Sequence, residues 1–190
     1  SGTTGDPKGV LYSHRSNIMH TMIGLQKDAI GIGASDTTLP VVPMFHANAW
    51  GLAFSGPATG SKLVLPGAKM DGESIYELLE NEKVTFTAAV PTVWLMLLQY
   101  LESTNKKLPH LNRVVIGGSA VPERILRAFE ENYQVEVVHA WGMTEMSPLG
   151  SLGSMTENVL AQDHDTIIKY KLKQGRPPSG VEMKTINVEG

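Results

Sequence analysis

The chain has 190 residues, enough for one large domain with a real core or for part of a bigger one. It is 42% hydrophobic and 18% charged with a net charge of -3, a globular composition without a basic face for nucleic acid or a polybasic membrane patch. Cysteine is absent, which removes disulfides, a thiolate nucleophile and a cysteine-held metal.

The chain opens inside a polar loop without an initiator Met, and its last residues read as the tail of a strand. Both ends therefore read as internal points of a longer chain. No apolar run of signal-peptide type opens it, and no stretch approaches the ~20 apolar residues of a membrane helix. A cytoplasmic location is expected, with peripheral membrane attachment left open.

After the opening loop, residues 10–12 read as a short apolar strand. Residues 13–17 supply cap residues for a helix over roughly 18–28. Residues 38–42 read as a strand stopped by Pro43, residues 45–50 as a loop, and the small apolar run 51–58 as a buried helix. A strand at 62–65 follows. Asp71 can cap a helix over 72–81 with Ile75, Leu78 and Leu79 on one face. Residues 84–90 form a strand, and Pro91 suits the first turn of a helix running to about residue 103. Residues 113–116 form a strand entering Gly117-Gly118. Pro122 opens a helix to about residue 133, and 135–139 form another strand. Beyond Gly150 the pattern weakens into a surface segment before a final strand at 181–186. This alternation predicts an α/β fold, a mostly parallel sheet covered by helices. Ligands sit beyond the carboxyl ends of such strands. Two conspicuous loops leave strands there, 117–121 and 140–146.

The opening run Ser1-Gly2-Thr3-Thr4-Gly5-Asp6-Pro7-Lys8-Gly9 combines glycines, hydroxyls and a lysine. Such a composition can grasp a polyphosphate. It is not a Walker A loop, because Pro7 precedes Lys8 and Gly9 follows it. Composition alone fits an ordinary surface loop equally well. The order of residues resembles the phosphate loop of the adenylate-forming, or AMP-binding, superfamily. That superfamily includes acyl-CoA ligases, beetle luciferases and peptide-synthetase adenylation domains. The resemblance implies that Ser1, Gly2, Thr3, Thr4, Gly5 and Lys8 close on the β- and γ-phosphates of ATP.

Trp141-Gly142-Met143-Thr144-Glu145 offers an aromatic face, a close-approach glycine, a hydroxyl and a carboxylate. Alone it also reads as a strand-end turn with a half-buried Trp. It resembles the superfamily's aromatic-Gly-x-Thr-Glu element. This implies Thr144 at the α-phosphate, Glu145 at Mg²⁺, and Ala140, Trp141 and Gly142 at the nucleotide. Gly117-Gly118-Ser119-Ala120-Val121-Pro122 resembles the adenine-side segment, which adds Gly118, Ser119 and Ala120. Its plainer reading is a strand-to-helix turn, and both hold together.

Pro43-Met44-Phe45-His46-Ala47-Asn48-Ala49-Trp50-Gly51 resembles the motif beside the carboxylate of the acid. In isolation His46 reads as a structural histidine. Amino-acid-activating relatives place Asp directly after the Phe to hold an ammonium group. Here that position is His46, which speaks against an α-amino acid. The other pocket candidates are Trp50, Gly51, Val90, Thr92, Val93, Gly117 and Met146, mostly apolar, as an alkyl chain requires. The resemblance is strongest to bacterial medium- and long-chain fatty acyl-CoA ligases. Methylthiopropionate-CoA ligases, other carboxylate-CoA ligases and a non-catalytic nucleotide- or acyl-binding relative remain as alternatives.

The implied reaction joins a fatty acid to AMP from ATP and then to coenzyme A, with His46, Thr144, Glu145 and Lys8 as the catalytic set. The chain covers only the middle of such an enzyme. The family's Tyr-x-Thr-Gly-Asp element, the hinge beyond it and the C-terminal lysine are absent. The chain is therefore expected to be an internal fragment of the large N-terminal AMP-binding domain, inactive by itself and without the C-terminal domain. A homodimer of the intact enzyme is left open. The six histidines are dispersed, Asp163-His164-Asp165 reads as a solvated loop, and there is no Gly-x-Ser-x-Gly elbow.

Overall fold

The computed structural model describes residues 5–187. Ser1, Gly2, Thr3 and Thr4, expected in the phosphate loop, lie outside the described residues. Among the described residues there are six strands: β1 (Thr37–Pro40), β2 (Lys62–Leu63), β3 (Phe86–Ala89), β4 (Arg113–Ile116), β5 (Glu136–Gly142) and β6 (Leu149–Leu152). They form one sheet in the order β2-β1-β3-β4-β5-β6. The ladders from β2 to β5 are parallel, and β6 returns antiparallel to β5.

The apolar strand runs suit a sheet covered on both faces. Side chains alternate between two apolar clusters: Leu39, Val114, Ile116 and Val137 enter one, and Phe86, Val115 and Val138 the other. The first cluster is roofed by helices α4 (Gly72–Asn81), α5 (Pro91–Thr104) and α6 (Glu123–Arg127). Within it Trp94 meets Phe129 edge-on, with ring centroids 5.7 Å apart and planes at 90°. The second cluster takes Leu52 from α3 (Leu52–Thr59) and Ala29, Ile30 and Ile32 from the segment before β1.

Local rules set most boundaries. The Asp71 carboxylate accepts from the Ser74 amide at 2.9 Å and opens α4, and Pro91 occupies the first turn of α5. Ser13 caps α1 (His14–Gly24) by accepting from the Ser16 amide, so this helix starts and ends four residues before the expected span 18–28.

Other expectations need correction. Residues 10–12 and 181–186 are not strands. Neither finds a ladder partner among the described residues, and Leu11 is 97% exposed. The helix expected over 122–133 divides into α6 and a π-helical turn, Ala128–Asn132, which buries Phe129. Beyond Gly150 there is more order than the sequence suggested: β6, α7 (Glu157–Leu160) and α8 (His164–Lys171). Asp163-His164-Asp165 begins α8 rather than a loop, with Asp163 as its cap. Asp165 and His164 dock α8 on the α6 side, Asp165 against Arg127 at 2.7 Å and His164 against Glu131 at 2.9 Å. Among the described residues no helix is long and apolar enough to cross a membrane.

His20 in α1 and His139 in β5 are both buried, and the Nε2 atom of each has no partner among the described residues. Burial lowers the pKa of both, because the charged form would lose its water. The unfolded chain takes up protons near the ordinary histidine value of about 6.5, whereas the folded chain resists. Stability is therefore fully present above that pH and is lost as pH falls through it toward the lowered folded values. Urea midpoints at pH 7.5 and 5.5 should show this fall, and His139→Gln should make it shallower.

Candidate active site

The loop after β1 carries the least ordinary backbone. Ala47, Asn48, Ala49 and Trp50, the turn α2 (Ala47–Trp50), and then Gly51 all have positive φ, from 47° at Ala47 to 84° at Gly51. Residues with a Cβ pay about 1–2 kcal/mol each for the left-handed region. Such a turn persists only where its surroundings hold it. Ala49 is fully buried in the second cluster, and Gly51 lies against His20. A Cβ at Gly51 would lie 2.5 Å from Cε1 and 2.7 Å from Nδ1 of that ring, so only glycine fits. The turn brings the Trp50 indole over Gly117 and Gly118 at the end of β4.

A cleft of about 310 Å³ opens beside these residues, at the carboxyl ends of β1, β4 and β5. His46, Trp50, Thr144 and Glu145 line it, together with Gly117, Gly118, Ala140, Trp141 and Gly142. Three separate expected motifs thus meet in one space. Ile30, Ala47, Val115, Met143, Pro148, Leu149 and Leu152 also line the cleft and were not expected there. Most of these are apolar residues whose role follows only from the folded packing, and Leu149 and Leu152 belong to the unrecognised β6.

Trp141 is part of β5 rather than of a loop, because that strand continues to Gly142 and pairs with β6. Its ring packs where Gly150 has no side chain; a Cβ there would sit 2.5 Å from Cε3. Thr144 and Glu145 then lie on a 3₁₀ turn, Thr144–Met146, between β5 and β6.

The remaining expected residues do not line the cleft. Val90 caps α5 and approaches Gly118, Thr92 and Val93 occupy the first turn of α5, and Val93 packs on the first cluster. Ser119 and Ala120 are exposed after Gly118, and the Met146 methyl faces Gly150. Gly5 and Lys8 are exposed. Tyr12, which no sequence signal marked, reaches Thr144: its hydroxyl donates to the Thr144 carbonyl at 2.5 Å.

Among the described residues no three His, Asp or Glu side chains cluster to hold a metal. Glu145 on the cleft wall is a single hard-oxygen donor. That donor set fits Mg²⁺ of the kind held by one carboxylate and substrate phosphates, not a protein-caged ion.

The model of the AMP-binding enzyme family matches residues 1–190. A medium-chain-fatty-acid–CoA ligase of Ectopseudomonas oleovorans is 48% identical over 190 residues, 100% of this chain and 35% of that protein. A 3-methylmercaptopropionyl-CoA ligase of Ruegeria lacuscaerulensis is 46% identical over 195 residues, again 100% of this chain and 35% of the relative. The crystal structure of a long-chain-fatty-acid-CoA ligase from Archaeoglobus fulgidus superposes with a TM-score of 0.81 at 28% identity, over 100% of this chain and 37% of that one. This chain belongs to the AMP-binding enzyme family. It spans about a third of the length of these relatives.

Gly51→Ala should destabilise the protein by about 2 kcal/mol or more, through overpacking and the left-handed φ together. Adding His20→Ala should recover part of that loss, so the two changes are less than additive in denaturant unfolding. Additive losses would show that the His20–Gly51 contact does not hold the turn.

Proposed function

We propose that the polypeptide containing this chain is a fatty acid–CoA ligase that activates its acid with ATP. The observation that carries this reading is the meeting of His46 and Trp50 with Thr144 and Glu145 around one largely apolar cleft at the strand ends. In the first half-reaction a carboxylate oxygen bonds to the α-phosphorus of ATP and pyrophosphate leaves. In the second, the sulfur of coenzyme A bonds to the acyl carbon, AMP leaves with the electrons of the broken C–O bond, and the thiol proton passes to solvent.

Each residue has a role suited to its chemistry. His46 would donate to the carboxylate of the acid and orient it for attack. The Thr144 hydroxyl would donate to a phosphate oxygen. Lys8, with Ser1, Gly2, Thr3, Thr4 and Gly5, would hold the leaving pyrophosphate. Gly118, Ser119, Ala120, Ala140, Trp141 and Gly142 would enclose the nucleoside. Glu145 would hold Mg²⁺, which when bound neutralises phosphate charge as it develops. The acyl chain would lie against the apolar wall that Trp50 and Val115 share, with Val90, Thr92, Val93 and Met146 beyond it. No carboxylate follows Phe45 to pair with an ammonium group, which disfavours amino acids. We place the chain in the N-terminal AMP-binding part of a cytoplasmic enzyme and expect it to be inactive without the remainder.

The 46% identity to a 3-methylmercaptopropionyl-CoA ligase supports a second reading, a short thioether acid as substrate. Pyrophosphate–ATP exchange by the whole polypeptide separates the two. The acids to compare run from acetate to palmitate, with 3-methylmercaptopropionate and several amino acids. Exchange should depend on a fatty acid, and His46→Ala should raise the KM for that acid about tenfold or more. Exchange only with the thioether acid would select the second reading. Exchange only with an amino acid, or none in a protein that binds ATP, would overturn both.

A further inference from the structure

Tyr12 lies four residues after Lys8, in a stretch that forms no strand, yet it is half-buried beside an almost fully exposed Leu11. Its hydroxyl crosses 132 residues of sequence to donate to the Thr144 carbonyl at 2.5 Å. Two other bonds brace the turn around that carbonyl: the Met143 amide donates to Pro148 and the Met146 amide to Met143, each at 2.9 Å. Thr144 itself is held less firmly from within, because the Ser147 amide reaches its carbonyl only at 3.4 Å. The other hydrogen bond to this carbonyl comes from the Tyr12 hydroxyl.

The Thr144 carbonyl and the Glu145 amide share one rigid peptide plane. Fixing the carbonyl therefore fixes the plane from which the Glu145 side chain departs. The phenol carries an O–H, so at neutral pH it is a donor to that carbonyl.

We propose that Tyr12 is a positioning residue: its hydroxyl ties the segment leaving the phosphate loop to the Thr144–Met146 turn and so aims the Glu145 carboxylate at nucleotide-bound Mg²⁺. This rests on the function proposed above, and it concerns metal-dependent nucleotide binding before any chemistry. Tyr12→Phe keeps the ring and removes only the hydroxyl.

The test is calorimetric titration of ATP into the whole polypeptide, wild type and Tyr12→Phe, without metal and at rising Mg²⁺. The Mg²⁺ concentration giving half of the affinity gain should rise about three- to tenfold in the variant, the range expected for one lost hydrogen bond. Metal-free ATP affinity should stay within about twofold, and the melting temperature within about 2 °C. Three results would overturn the inference. One is an unchanged Mg²⁺ dependence in Tyr12→Phe. Another is an equal loss of metal-free and metal-loaded affinity with a lowered melting temperature. The third is a wild type whose ATP affinity ignores Mg²⁺. Tyr12→Leu removes ring and hydroxyl together; if it alone shifts the Mg²⁺ dependence, packing rather than the hydroxyl is responsible. Acid-dependent exchange is scored separately, so a protein that binds Mg²⁺-ATP but activates no acid would overturn the proposed function while the Tyr12 comparison still stands or falls.

Discussion

A parallel sheet buried on both faces leaves its backbone groups only the neighbouring strands as partners. The ladders joining β1, β3, β4 and β5 meet that need, with register running from Phe86↔Arg113 to Ala89↔Ile116 and from Arg113↔Glu136 to Ile116↔His139. Arg113 fastens the amino-terminal edge by donating to Glu136 at 2.7 Å and to the Ile30 carbonyl at 2.8 Å. Because these strands run one way, all their carboxyl ends face the same side. The loop carrying His46 and Trp50, the Gly117-Gly118 turn and the Thr144–Met146 turn are far apart in sequence and close in space for this reason alone.

The helices complete the arrangement by choosing sides. The β1–β2 connection, α3, packs on one face, while α4, α5 and α6 roof the other. Val115 on β4 faces the α3 side, yet it lines the cleft rather than being sealed by a helix. The left-handed turn before α3 carries Ala47 and Trp50, which also line the cleft. Its conformational strain is opposed by the burial of Ala49 and by the fit of Gly51 to His20, so α1 also supports the turn that carries Trp50 into the cleft.

Much of this was legible in the sequence. Strong local signals placed α4 at Asp71 and α5 at Pro91, and the alternation of elements gave the parallel sheet. The three cleft motifs were recognisable through their resemblance to the adenylate-forming superfamily; in isolation each also read as a plain turn or a structural residue. What escaped was decided by long-range partners. The 10–12 stretch is apolar enough for a strand but meets no neighbouring edge. Leu149–Leu152 is only four residues long, and β5 supplies what makes it a strand. In α8 just Ile168 is fully buried, so apolar periodicity was too thin, and Arg127 with Glu131 does the docking. The Tyr12–Thr144 bond joins positions that no local rule connects.

The most direct test of the central claim is a crystal structure of the whole polypeptide with decanoyl-sulfamoyl-adenosine, a stable mimic of an acyl-adenylate. The account predicts the sulfamoyl group within hydrogen-bond reach of the Thr144 hydroxyl. It also predicts adenine along Gly118–Ala120 and Trp141, and the alkyl chain on the Trp50 and Val115 wall near His46. A ligand bound away from this cleft, or one whose alkyl chain leaves that wall for solvent, would contradict it.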